Sequence, residues 1–340
     1  MARIGLMGCG SVADFGHLPA ISSTPELEIV ALFDPVIGRA QSYSEKFGGK
    51  PFTDECEFFA EGLDAVVIAS PLFTHHDNVM LCSEHGVHVL CEKPIATNED
   101  EAADMIAVME DAGKGFFVGM VYRFSPVALQ LKQWIEQGVL GKVKHIRMIY
   151  LWNLHGQWIR DDAGTWIESP MWRGRMMEGG PLVDCGVHQI DLIRWMTGLE
   201  IKSWEGFGTW ISDYEAPDHV VAQLQLENGI TASVEVSFTY GHTSKEPRSV
   251  FTYEVIGTGG VALFDRDGYV LEARNGEGIL VGHGAGEKNF EGMYSQFSEF
   301  LRTGKSGDLA TPHDAMVATE IAVDCTDQAI QRRGIVGRSK

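Results

Sequence analysis

Basic residues are scarce in this 340-residue sequence, which has 27 Lys and Arg against 47 Asp and Glu and a formal net charge of -20 at pH 7. A surface this acidic repels phosphate backbones and anionic lipid, so the composition argues against nucleic-acid and membrane-surface partners. An anionic small molecule is still compatible with this charge, because backbone N–H groups bind phosphate locally whatever the net charge.

Long apolar runs and clustered cysteines are also absent. No apolar run approaches the roughly 18 residues of a membrane-spanning helix. The six cysteines lie at positions 9, 56, 82, 91, 185 and 325, and no two of them form a C-x-x-C pair. That scatter is typical of reduced thiols in a cytoplasm rather than of a disulfide framework or a zinc knuckle. We therefore expect a cytoplasmic protein without a metal site, and the chain length favours two domains.

Over residues 1–122, short apolar runs alternate with amphipathic segments. The runs "RIGLMG", "EIVALFD", "DAVVIAS", "VHVLCE" and "GFFVGMV" are typical of strands buried on both faces of a parallel sheet. This alternation predicts a doubly wound α/β domain. In residues 123–340, period-two runs such as "KHIRMIYLW" and "ITASVEVSF" predict a second domain with a mixed or antiparallel sheet, a helix over 186–197 and a closing helix.

The first motif, "GLMGCGSVADFGHLPAI", follows the first predicted strand and opens the first helix. Gly8 permits a tight turn, Gly10 lets the backbone approach a pyrophosphate, and Ala13 allows close helix–strand packing. The helix N-terminus, with Ser11 and Val12, would then face the phosphates.

Asp34 ends the second predicted strand, in "VALFDP". A carboxylate at this distance beyond the glycines is placed to accept a hydrogen bond from a ribose 2′-hydroxyl and to repel a 2′-phosphate. No basic residue follows until Arg39, so the sequence favours NAD over NADP. The alternative is that Asp34 only starts the Asp-Pro turn.

Glu92-Lys93-Pro94 follows the predicted strand "VHVLC". Ligands of open α/β sheets bind at the carboxyl ends of the strands, where a lysine can hydrogen-bond a substrate hydroxyl and stabilise a developing alkoxide. The alternative is an ordinary surface lysine in a turn.

In "GGPLVDCGVHQID", Asp184, His188 and Asp191 are spaced for one face of a helix entered through Gly179 and Gly180. An imidazole oriented by a carboxylate is a natural proton acceptor near neutral pH. Two other interpretations stay open: a helix cap with a core histidine, and a metal site, for which no further His or Cys cluster offers ligands.

The segment "WNLHGQWIRDDAGTWIESPMWRGRMME" is rich in tryptophan and arginine. Aromatic rings that stack on C–H faces, with charged groups that reach hydroxyls, would suit a sugar or cyclitol. We favour Trp166, Trp172 and Arg173, which are nearest in sequence to the predicted catalytic helix. The alternative is that these tryptophans pack between the domains.

Taken together, the glycine loop, "SPLFTHH", "CEKPIA", "VYRFSP" and "GGPLVDCGVHQID" resemble, in order and spacing, the motifs of the Gfo/Idh/MocA (glucose-fructose oxidoreductase / inositol dehydrogenase) family. The resemblance covers essentially the whole chain. It implies an N-terminal Rossmann domain and a C-terminal α/β domain with an open sheet. The subunits of a homodimer or homotetramer would contact each other through this sheet.

The resemblance also implies roles for individual residues. Lys93, Asp184 and His188 match the family's catalytic trio. By the same resemblance, four further residues are expected to contact the cofactor: Ser70, Pro71, His75 and Glu92. Tyr122 and Arg123 are expected near the nicotinamide and the substrate. The chain departs from the family pattern at Leu72 and at Val121, where asparagine is usual or frequent.

These features predict an NAD-dependent dehydrogenase that oxidises a secondary alcohol of a sugar, cyclitol or related polyol. His188 would remove the hydroxyl proton, and Lys93 would hydrogen-bond the same oxygen. Asp184 would bind and orient both the substrate and its cationic neighbours. Two alternatives are a redox-neutral enzyme that cleaves glycosides with tightly held NAD, and a non-catalytic NAD-sensing regulator.

Overall fold

The computed structural model describes residues 1–169, 176, 179–283, 286 and 288–337, with only the backbone described for 335–337. The chain divides into two compact units. Unit 1 contains residues 1–124 and 288–317, and unit 2 contains the described residues of 125–287 and 318–337. The segment 288–317, which the sequence division gives to the second domain, thus belongs to unit 1.

Unit 1 contains a six-stranded sheet in the order β3-β2-β1-β4-β5-β6, and every neighbouring pair is parallel. The strands are β1 (Ala2–Met7), β2 (Leu27–Phe33), β3 (Lys50–Phe52), β4 (Ala65–Ile68), β5 (His88–Cys91) and β6 (Phe116–Val118). All four residues of β4 are buried, as expected for a strand covered on both faces. The doubly wound fold predicted from the sequence is confirmed.

One strand of unit 1 was not predicted. β3 is three residues long and contains Pro51. It pairs only with β2, at the edge of the sheet, where a residue without a backbone N–H is tolerated. A short proline-containing run carries too little pattern to be identified as a strand.

The helices of unit 1, numbered along the whole chain, are α1 (Leu18–Ser23), α2 (Ile37–Phe47), α3 (Glu55–Phe59), α4 (His75–Glu84), α5 (Glu99–Asp111) and α8 (Phe290–Thr303). A π-helical turn, Ala13–His17, leads into α1. α8 was not predicted, although its apolar residues Phe290, Met293, Tyr294 and Phe297 have helical spacing and are buried. Asn289 caps it by accepting a hydrogen bond from the backbone N–H of Gly292.

Unit 2 contains an eight-stranded mixed sheet in the order β10-β11-β12-β7-β13-β14-β15-β16. Its strands are β7 (Val143–Leu151), β10 (Ile201–Thr209), β11 (His219–Leu226), β12 (Thr231–Ser237), β13 (Val250–Gly257), β14 (Gly260–Asp265), β15 (Val270–Asn275) and β16 (Gly278–Val281). Among the described strands of this sheet, only β12 and β7 pair in parallel. A separate antiparallel ribbon joins β8 (Trp158–Arg160) and β9 (Trp166–Glu168). The predicted mixed sheet is confirmed.

The helices of unit 2 are α6 (Pro126–Glu136) and α7 (Val187–Thr197), and α9 (Pro312–Gly337) begins in unit 1 and continues into unit 2. α7 and the turn before it contact β12, whose residues Ala232, Val234 and Val236 are buried. Of the alternate residues of β12, Thr231 is exposed, Ser233 and Glu235 are half-buried and Ser237 is buried, so the other face of this part of the sheet is only partly covered. In the part of the chain that the structure describes, we find no helix with the length and apolarity needed to cross a bilayer.

Candidate active site

The predicted cofactor residues of unit 1 line one edge of its sheet. Because β2, β1, β4 and β5 are neighbouring parallel strands, the residues that follow them lie side by side. In that order these residues are Asp34, Gly8, Ser70 and Lys93. With neighbouring strands about 4.8 Å apart, Asp34 and Lys93 are separated by three spacings, or about 14 Å. The sequence motifs therefore form one row across the carboxyl edge.

Gly8 and Gly10 of the glycine loop lack a side chain for two different structural reasons. Gly8 has φ +99°, and a Cβ there would lie 2.4 Å from the backbone nitrogen of Ser70. At Gly10 a Cβ would meet no atom within 4 Å, so the space beside its backbone is open. Gly8 is needed for the protein's own packing, whereas Gly10 leaves a cradle that a side chain would fill. Ser11 and Val12 follow in the first helical residues, exposed and half-buried respectively.

Asp34 is buried and holds the glycine loop. Its Oδ2 accepts a hydrogen bond from the backbone N–H of Cys9 at 3.0 Å, and its Oδ1 accepts one from that of Val36 at 2.8 Å. Burial, with a smaller contribution from the Asp34 charge, raises the pKa of the Cys9 thiol to about 12. The hydrogen bond from Val36 forms the Asp-Pro turn that was the alternative interpretation of Asp34. Since a carboxylate has about four acceptor positions, Asp34 can form this turn and also accept a hydrogen bond from a ribose hydroxyl.

His75 links the ends of two strands. Its Nε2 lies 3.0 Å from the carbonyl oxygen of Ser70, and its Nδ1 lies 3.0 Å from that of Pro94. Burial lowers the pKa of His75, although these backbone hydrogen bonds act in the opposite direction. Pro71 starts the turn Leu72–Thr74 that leads into α4. The imidazole thus bridges the backbone segments that follow β4 and β5.

Glu92 is buried beside Lys93, and its contacts were not predicted. Its Oε1 lies 3.0 Å from Nε2 of His17, and its Oε2 accepts a hydrogen bond from the backbone N–H of Lys93 at 3.1 Å. Nδ1 of His17 lies 2.7 Å from the hydroxyl of Tyr294 on α8. The sequence motifs assign no role to His17. Its contact with Tyr294 could have been predicted only by identifying α8 as a helix.

Tyr122 and Arg123 lie in the short helical turn Val121–Phe124 that follows β6, and both are buried. The Arg123 guanidinium forms an ion pair with Asp314 at 3.2 Å and donates to the carbonyl oxygen of Asp308 at 3.4 Å. At this distance the pair anchors the start of α9 to the edge of unit 1. A role of Arg123 toward a substrate stays a prediction.

In unit 2, the predicted catalytic helix begins with the glycine pair. Gly179 and Gly180 have φ +93° and +80°, a region that residues with a Cβ rarely adopt. The π-helical turn Leu182–Gly186 follows and contains Asp184, and α7 contains His188. Both side chains are almost fully buried, with exposures of 3% and 4%. A π-helical turn within a helix is a frequent feature of functional sites.

The tryptophan-rich segment is only partly described. Trp166 lies in the β8–β9 ribbon, where the Arg160 guanidinium packs over its ring at 4.6 Å. Trp172 and Arg173 lie outside the described residues. Asp191 is buried in α7, and among the described residues no group of three or more His, Cys, Asp or Glu side chains is arranged to hold a metal ion.

Comparison with known families gives matches over both parts of the chain. Residues 2–120 match the model described as "Oxidoreductase family, NAD-binding Rossmann fold". Residues 128–263 match the model of the GFO/IDH/MocA C-terminal domain. The predicted resemblance, the NAD-binding domain and the oxidoreductase class are therefore confirmed.

Individual relatives agree with these matches. The chain is 25% identical to scyllo-inositol 2-dehydrogenase (NAD(+)) of Bacillus subtilis (strain 168), over 96% of this chain and 93% of the relative. It is 28% identical to D-glucoside 3-dehydrogenase of Escherichia coli (strain K12), over 69% and 70% of the two chains. The crystal structure of myo-inositol 2-dehydrogenase from Lactobacillus plantarum superposes with a TM-score of 0.78 at 20% identity, over 96% and 97%, which shows the shared fold.

Proposed function

The chain belongs to the Gfo/Idh/MocA family of oxidoreductases, and from that premise we propose that it is an NAD-dependent dehydrogenase of a secondary alcohol in a sugar, cyclitol or related polyol. The observation that carries the proposal is the row of Asp34, Gly8, Ser70 and Lys93 along the carboxyl edge of the unit 1 sheet. This edge is where open α/β sheets bind ligands.

The residues of unit 1 fit NAD. Open space beside Gly10 leaves room for a pyrophosphate, the backbone of Ser11 and Val12 begins the helix, and the Asp34 carboxylate has acceptor positions for a ribose hydroxyl. The charge of Asp34 disfavours a 2′-phosphate, which supports NAD over NADP. NAD, when bound, supplies the hydride acceptor.

Three residues of the chain handle the substrate hydroxyl in this proposal. His188 accepts its proton, and the Lys93 ammonium donates a hydrogen bond to the same oxygen and stabilises the charge that develops there. Asp184 orients the imidazole and stabilises the imidazolium that forms. In the reverse reaction His188 returns the proton.

The substrate class is supported by the relatives, whose names describe dehydrogenases of an inositol and of a glucoside. Trp166, Trp172, Arg173, Tyr122 and Arg123 stay predicted substrate contacts. Assembly as a homodimer or homotetramer through the open sheet of unit 2, and a cytoplasmic location, are further predictions. They rest on the family resemblance and on the scattered cysteines.

The test is a panel of inositols, aldoses and glucosides with NAD and with NADP, followed by absorbance of the reduced nicotinamide. We expect turnover with NAD on at least one polyol. His188→Ala and Lys93→Ala should each lower kcat by about 100-fold or more, within the range of general acid–base contributions, while NAD binding persists. Near-wild-type turnover in either variant would contradict the assigned roles. NAD retained through purification, without net reduction, would instead favour the redox-neutral alternative.

A further inference from the structure

A completely buried histidine, His17, contacts the glutamate that precedes the predicted catalytic lysine. His17 is 0% exposed, and the edge of its ring meets the ring of Phe290 at 5.1 Å between centroids. Its two ring nitrogens contact Tyr294 and Glu92, at 2.7 Å and 3.0 Å. All of these residues belong to unit 1, but α8 supplies Phe290 and Tyr294 from a distant part of the sequence.

The direction of the hydrogen bond between His17 and Glu92 follows from the protonation of its end groups. Burial, reinforced by the Glu92 charge, raises the pKa of Tyr294 well above its usual value, so the phenol keeps its proton and stays a hydrogen-bond partner of Nδ1. A carboxylate has no hydrogen to donate, so the hydrogen of the bond between His17 and Glu92 is on Nε2. Burial favours a neutral Glu92, but the hydrogen bond from His17 and the charges of His17, Lys288 and Lys93 together outweigh burial and lower the pKa of Glu92, so the carboxylate accepts.

Glu92 connects His17 to the backbone of Lys93. One carboxylate oxygen accepts from His17, and the other accepts from the backbone N–H of Lys93 at 3.1 Å. A Cβ at position 119 would lie 2.9 Å from Oε1 of Glu92, so the carboxylate occupies space that Gly119 leaves for it. Oε1 of Glu92 thus contacts His17 and packs beside the backbone of Gly119.

We propose that Tyr294, His17 and Glu92 form a positioning relay that fixes the backbone from which the Lys93 side chain leaves the sheet. Tyr294 and His17 are then positioning residues for hydride transfer, although neither has to touch the substrate. The inference rests on the proposed function, because the relay acts through the role of Lys93. Because Tyr294 lies on α8, this helix would also help to position Lys93.

Two substitutions of His17 separate the relay from simple packing. In His17→Gln the side-chain N–H₂ group reaches about as far as Nε2 and can still donate to Glu92, whereas in His17→Asn it reaches only about as far as Nδ1. We expect kcat to stay within about tenfold of wild type in His17→Gln, which loses only the Tyr294 contact, and to fall about 100-fold in His17→Asn, the scale of a small misplacement at an active site. The KM for NAD should change less than about threefold in both. Equal losses of kcat in the two variants would overturn the relay.

Tyr294→Phe removes only the hydroxyl and should lower kcat about tenfold through the same route. In a Lys93→Ala background it should have no further effect beyond about threefold, because coupled residues are not additive. The matched control is His88→Asn: His88 begins β5, whereas Glu92 follows the end of that strand, and His88 contacts α8 through Phe300. That variant should lose stability but not kcat. A full additional loss in the double variant would place the action of Tyr294 elsewhere.

A spectroscopic readout keeps the relay and the proposed function distinguishable. Long-range ¹H–¹⁵N correlation spectra of protein with ¹⁵N-labelled histidine, at pH 8, should show His17, assigned by its loss in His17→Gln, with its hydrogen on Nε2. Tyr294→Phe should shift this signal. A His17 signal with hydrogen on Nδ1 alone would overturn the relay even in an active enzyme. Absence of turnover on every polyol, with the expected signal present, would contradict only the proposed function.

Discussion

The two glycines of the phosphate loop should respond to the same substitution in opposite ways. In Gly8→Ala the new Cβ would lie 2.4 Å from the backbone nitrogen of Ser70, at a residue with φ +99°. The positive φ costs about 1–2 kcal/mol and the overpacking against backbone a further 1–3 kcal/mol or so. We therefore expect the free energy of unfolding to fall by about 2–5 kcal/mol, measured by urea denaturation without NAD.

In Gly10→Ala the methyl group meets no protein atom within 4 Å, and φ lies outside the positive region. Stability without NAD should therefore be unchanged or higher by up to about 1 kcal/mol, because alanine restricts the unfolded chain. The methyl group would nevertheless stand where the pyrophosphate approaches. Loss of one hydrogen bond from a backbone N–H to a charged group, worth about 1.5–3 kcal/mol, corresponds to about 10- to 150-fold weaker NAD binding.

The assay for both variants is titration with NAD, followed by calorimetry or by quenching of tryptophan fluorescence, beside the denaturation curves. Wild-type NAD affinity in Gly10→Ala would refute the placement of the pyrophosphate beside Gly10. Unchanged stability in Gly8→Ala would refute the close approach of the Gly8 and Ser70 backbones.

Three further outcomes are expected. Asp34→Asn should reduce the preference for NAD over NADP by about fivefold or more in kcat/KM, since it removes a charge whose repulsion of a 2′-phosphate is worth about 1 kcal/mol even in water. Because burial lowers the pKa of His75 below 6.5 in the folded state, the unfolded chain binds more protons, so the free energy of unfolding should fall as pH decreases through about 6.5. Denaturation at pH 5.5 and 7.5 would show this, and an unchanged slope in His75→Gln would contradict it. The fully buried Asp218 carboxylate accepts hydrogen bonds from the backbone of Ile211 and Ser212 in unit 2. Asp218→Ala should therefore lower the free energy of unfolding, measured by denaturation, by about 1–3 kcal/mol and leave NAD affinity unchanged. Weaker NAD binding in this variant would show that Asp218 has a wider role.

Much of unit 1 follows from local pattern. Runs such as "DAVVIAS" are buried on both faces, and a parallel sheet brings the carboxyl ends of its strands to one edge whatever the loops contain. Asp34, Gly8 and Lys93 could therefore be predicted to lie along that edge, and the structure has them there. The strand β3 was missed because Pro51 and its short length hide it, and an edge position tolerates both.

The sequence by itself determined the strand-and-helix rhythm, the glycine loop and the motifs that identify the family, because each depends on residues close together in the chain. Only the tertiary structure decided that α8 returns to unit 1 and that Tyr294 meets His17 across 277 positions. Such a contact depends on the summed packing of Phe290, Tyr294 and their neighbours, and no local period encodes which distant surface that packing will cover.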